Sequence, residues 1–156
     1  IILLEKNLDK VDWERLSMNP RAIHLLEQNP NKIVDYTPSS NPNAIHLLKL
    51  GEYYIDIDWR RLSKNPEAIS LLKDNLDEAN WEELSSNPKA IQLLEQNWER
   101  INWIGLSSNP NAIPLLEQNQ EKINWLHLSS NENAINILEQ NPDRIYWAFL
   151  SSNPNK

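Results

Sequence analysis

A dipeptide that returns on a fixed period leaves this chain few ways to fold. Asn-Pro or a close variant stands at Asn19, Asn41, Asn65, Asn87, Asn109, Asn131 and Asn153, spaced 22, 24, 22, 22, 22 and 22 residues apart. Trp13, Trp59, Trp81, Trp103, Trp125 and Trp147 keep the same clock. Laid over each other, 81–102 and 103–124 are identical at 16 of 22 positions. Apart from two extra residues near Gly51, the 156 residues make seven periods of 22. A period of this length means one supersecondary unit per repeat, which buries its apolar face only against its neighbours.

Each unit carries two helix signals. Asn87 is an N-cap, Pro88 suits a first helical position, and Asn97 is one of the few residues other than glycine that tolerates a left-handed stop. These predict a helix of about nine residues over Pro88–Gln96, with Ala90, Ile91, Leu93 and Leu94 on one buried arc and Gln92 opposite. A shorter helix begins at Asn80-Trp81-x-x-Leu84, with Asp12 and Asp58 as equivalent caps. Ile33, Ile101, Ile123 and Ile145 fill the space between the two helices. The reading is all-α: an α-solenoid of seven stacked 22-residue helix-turn-helix repeats, a single array over 1–156. Irregular units fall around 34–58, where Pro38 breaks the short helix. The rival at this period is the leucine-rich repeat, whose alternating strand this chain lacks. Both ends cut a repeat without a polar capping unit, so a segment of a longer protein is expected.

The unit L-S-x-N-P-x-A-I-x-L-L-E-x-N-x-x-x-I-x-W, with its Asn-Pro, Ala-Ile, Leu-Leu and Trp spacing, resembles the tandem repeats of proteins in mimivirus-like giant viruses and some protists. The resemblance covers essentially the whole chain. Departures are Asp35 in the Trp position, Pro38 in the Leu position, Glu132 in place of Pro, and the insertion near Gly51. It implies a helical repeat and an intracellular or virion-associated location, and it brings no catalytic residues.

The formal charge of −7 and the absence of cysteine narrow the function. There is no thiol nucleophile and no disulfide framework. The acidic balance argues against nucleic acid and against an anionic membrane, which both select clustered Lys and Arg. Catalysis needs unlike groups converging at one place. Here Ser85-Ser86 recurs at Ser107-Ser108, Ser129-Ser130 and Ser151-Ser152, as helix-joining hydrogen-bond groups. No enzyme, cofactor, small-molecule substrate or metal is expected. His24 and His46 share one column, without a third ligand evident.

Binding information then lies in the variable positions. One column is His24, His46, Ser70, Gln92, Pro114 and Asn136. A second follows the short-helix Trp and turns apolar along the chain, so that Ile104, Leu126, Ala148 and Phe149 are expected as an exposed stripe. Trp98 is the one Trp outside the structural column and is a candidate anchor. The expected function is a non-enzymatic structural or protein-protein interaction scaffold that binds a protein partner or its own repeat surfaces. The alternative is a nucleic-acid-binding helical-repeat module.

Overall fold

The repeat grammar folds into short helices. The computed structural model describes residues 1–33, 37–49 and 57–155, and among these it contains thirteen α-helices, nine 3-10 helices and no strand. The chain divides into two compact units, Ile1–Ala79 and Asn80–Lys156.

In the second unit one repeat runs as follows. Trp81–Ser86 is the short helix, capped by the Asn80 carboxamide oxygen accepting from the Glu83 N–H. A tight turn at Asn87 leads into the helix Ile91–Glu95, and Trp98–Arg100 closes the repeat as a 3-10 turn. The nine-residue helix expected over Pro88–Gln96 is therefore a turn followed by a five-residue helix. The reason is local. The Asn87 Oδ1 accepts from Lys89 N–H at 3.0 Å, and Ala90 N–H bonds the Asn87 carbonyl at 3.0 Å, a three-residue closure tighter than an α-turn. The same pair of bonds forms the 3-10 helices Pro20–Ala22, Pro42–Ala44 and Pro66–Ala68.

The stop differs from expectation too. Asn97 has φ −131° and ψ 48°, outside the left-handed region. It ends the helix with its side chain: Nδ2 donates to the Leu93 carbonyl at 2.8 Å, satisfying an acceptor that has no partner within the helix. Asn7, Asn29, Asn75, Asn119 and Asn141 make the same bond to the residue four before. Pro38 acts as the sequence implies, since its copy of the short helix is the 3-10 helix Thr37–Ser40. Val34–Tyr36 and 50–56, including the insertion near Gly51, lie outside the described residues.

Each unit has a core of aliphatic side chains. Leu84, Ala90, Leu94, Leu106, Ala112, Leu116 and Leu128 are wholly buried in the second unit. Leu16, Ala22, Leu25, Leu26, Ala44 and Leu47 form the matching cluster in the first, with Ile33 packed against it. Ile101 and Ile123 are buried as the inter-helix plugs. The Trp column is only half-buried, and Trp147 is exposed. Within the second unit Trp81–Ser86, Trp103–Ser108, Trp125–Ser129 and Trp147–Leu150 pack one against the next in sequence order.

Polar groups run through that core in an ordered way. The buried polar residues among those described are Ser17, Ser39, Ser63, Ser85, Ser107 and Ser129, with Asn41, Asn65, Asn87, Asn109, Asn131 and Asn153. Asn109 Nδ2 donates to the Ser85 carbonyl at 3.0 Å and the Asn87 carbonyl at 2.8 Å, both in the preceding repeat. Asn131 does the same to Ser107 and Asn109, and Asn153 to Ser129 and Asn131. In the first unit Asn41 reaches Ser17 and Asn65 reaches Ser39. The serines complete the relay. Ser107 Oγ donates to the Trp103 carbonyl at 2.7 Å and accepts from the Asn124 N–H of the next repeat at 2.9 Å. Among the described residues no buried side-chain nitrogen or oxygen lacks a partner.

One asparagine thus closes its own turn with its oxygen and binds the preceding repeat with its nitrogen. Asn109→Ala removes a cap, leaves the Ser85 carbonyl buried without its donor and takes one of two donors from the Asn87 carbonyl, a predicted loss of about 2–3 kcal/mol in denaturant unfolding. Asn19 is exposed and caps Arg21 N–H in the same way, so Asn19→Ala should cost only about 1 kcal/mol. Equal losses for the two variants would contradict the inter-repeat role.

Candidate interaction surface

The expected binding columns sit at fixed places in this frame. Residues of the first column occupy the second position of the helix that follows each Asn-Pro turn. His46, Ser70, Gln92, Pro114 and Asn136 are exposed there, and His24 is half-buried. Pro114 is accommodated without breaking its helix. Its helix begins at Ile113, so proline falls in the first turn, where no N–H is required.

The two histidines each meet a carboxylate 19 residues earlier. His24 Nε2 lies 2.9 Å from Glu5 Oε1, and His46 Nε2 lies 2.9 Å from Glu27 Oε1. No group of three His, Asp or Glu side chains among the described residues is arranged to hold a metal ion. No helix among them is long and apolar enough to cross a membrane.

Ile104, Leu126 and Ala148 are the second residues of Trp103–Ser108, Trp125–Ser129 and Trp147–Leu150, and Phe149 follows Ala148. Because these helices stack in order, the three positions align on one side of the second unit. Ile104 is 46% exposed and Phe149 41%, while Leu126 is half-buried and Ala148 exposed. Beside Leu126 runs an open groove of about 570 Å³, walled by Ile123–Leu126 on one side and Asp143–Tyr146 on the other.

Trp98 opens the 3-10 turn Trp98–Arg100 and is half-buried. Its ring meets Trp103 edge to face, with centroids 5.2 Å apart and planes at 75°. The structure therefore brings Trp98 to the Trp column instead of leaving it isolated.

Two features escaped the sequence reading. The first is a cation laid over three tryptophans of the second unit from 19 residues later. Arg100 lies 5.4 Å from the centre of the Trp81 ring, Lys122 lies 4.7 Å from Trp103, and Arg144 lies 5.0 Å from Trp125. The regular spacing of Arg100, Lys122 and Arg144 was the available signal. The second is Gly105, which follows Ile104 and is buried. A Cβ there would collide with the Glu82 backbone carbonyl and press on Ser85 Cβ at 3.2 Å. Glycine at this position lets Trp103–Ser108 lie close to Trp81–Ser86.

Compared with known proteins, the chain matches no family model, no curated protein and no solved structure.

Gly105→Ala is predicted to destabilise the chain by about 1–3 kcal/mol, the usual cost of overpacking against backbone, despite alanine's higher helix propensity. An unchanged or raised midpoint in thermal unfolding would contradict this close approach.

Proposed function

We propose that this chain is a non-enzymatic scaffold: one α-solenoid of seven repeats that associates with further copies of itself through the Ile104, Leu126, Ala148 and Phe149 stripe. The observation that carries the reading is the alignment of these apolar residues on successive packed helices, with Ile104 and Phe149 exposed. A row of exposed apolar groups on a regular framework loses free energy only when another surface covers it. A repeating surface also offers several equivalent registers, which favours heterologous contacts that propagate.

Two further observations support the solenoid and the absence of catalysis. The 22-residue step runs unbroken from Asn65 to Asn153, so the pattern that stacks repeats within each unit is continuous in the sequence. Five of the six buried serines, Ser17, Ser63, Ser85, Ser107 and Ser129, donate to a Trp carbonyl four residues earlier. Hydroxyls committed to the frame in this way are poor nucleophiles, since a nucleophile needs an adjacent base and an open approach.

Sedimentation velocity across a concentration series tests the reading. The wild type is expected to shift to larger species with concentration, and Leu126→Glu to stay monomeric with an unchanged helical circular dichroism spectrum. A wild type that remains monomeric at the highest concentration would refute self-association.

A further inference from the structure

Three tryptophans of the second unit carry a cation from the end of their own repeat, and one of these sites differs in kind. At Trp81 and Trp125 a guanidinium stacks on one indole. At Trp103 the cation is an ammonium and a second indole is present: Lys122 Nζ lies 4.7 Å from the Trp103 centroid and 5.0 Å from that of Trp98. The two rings stand at 75° to each other, so they wall an open corner with the ammonium in it. Both indoles are half-buried and held by the frame, whereas Lys122 is exposed. Among the described residues the positions equivalent to Trp98 are Leu8, Pro30, Leu76, Gln120 and Pro142, and none supplies a second indole.

We infer that Trp98 and Trp103 form an ammonium-recognition cage, occupied in cis by Lys122 and able to take an N-methylated ammonium group when that lysine is displaced. Indole faces attract cations through the ring quadrupole, and two faces act on one charge here. A primary ammonium is compact and strongly hydrated, which opposes its seating against rings. Methyl groups spread the same positive charge over apolar surface, lower that opposition and add contact area, which is why aromatic cages select methylated ammonium. Lys122 competes through its tether, which keeps its effective concentration high. The chain's charge of −7 adds a general attraction for a cationic ligand. Neutralising Lys122, as acetylation does, would open the site.

The site goes beyond the self-association reading, and its test is independent of sedimentation. Choline, a short peptide bearing trimethyl-lysine, and the uncharged tert-butyl analogue of choline are titrated into the full chain while the Trp98 and Trp103 indole N–H resonances are followed. In Lys122→Ala, choline and the peptide should shift both resonances, at about fivefold lower concentration than in the wild type, the factor set by removing one competing cation–π contact. Trp98→Gln, which installs the residue found at position 120, should abolish the shifts while leaving the helical spectrum intact. A peptide that binds at least about tenfold more tightly than choline identifies a modified protein tail as the source; equal affinities identify a small quaternary amine. Equal response to the uncharged analogue, no response to either cation, or no gain in Lys122→Ala would overturn the inference.

Discussion

The side-chain amide of the asparagine in each Asn-Pro turn is the group on which the repeat geometry depends. At Asn109 its oxygen accepts from the Asn111 N–H and shapes the turn, while its nitrogen carries two donors into the preceding repeat, as those of Asn131 and Asn153 do. One donor meets a serine carbonyl in the last turn of the preceding short helix, where an α-helix leaves acceptors without partners, and the other meets the preceding turn asparagine's carbonyl, which also accepts from its own turn. Side-chain length and hydrogen-bond type are both fixed by this double duty. Aspartate or serine would shape the turn as well, but neither supplies two donors. The contrast with the cap before five of the Trp helices is instructive: Asp12, Asp58, Asn80, Asn102 and Asn124 all serve there, because capping needs only an acceptor.

Burying so many polar groups is costly unless each is bonded, and here each described one is. The arrangement fixes how neighbouring repeats meet. Aliphatic contacts tolerate a shift of neighbouring helices, but an amide aimed at two carbonyls does not, so hydrophobic burial supplies the driving force and the Ser/Asn relay sets the register. With the interior committed to that task, chemical variety is left to the outward columns. The exposed Ile104 and Phe149, the groove beside Leu126 and the Trp98 corner are all variations on a constant frame.

Much of this frame was legible from spacing alone. The unit length, the apolar arc, the caps and the outward column at Gln92 follow from period and residue type. The helix length and the stop geometry were misread because a proline after an N-cap signals equally a 3-10 turn or an α-helix, and an asparagine at a helix end can act through backbone or side chain. The ladder itself was hidden for a different reason. A cap is a local property, whereas the Asn109 Nδ2 bonds join residues 22 and 24 apart, and only the stacked repeat brings them together. Trp98 was visible as an exception to the pattern, but its partnership with Lys122 depends on how a repeat folds over the one before it.

Hydrogen exchange at asparagine side-chain amides tests the ladder most directly. Asn109 and Asn131 are buried, while Asn111 and Asn133 make a bond of similar length to the preceding repeat but are exposed. If the buried amides hold the repeats together, those of Asn109 and Asn131 should exchange only on cooperative unfolding, orders of magnitude more slowly than those of Asn111 and Asn133. Exchange of all four at the same fast rate would mean that the repeats are held by apolar packing alone.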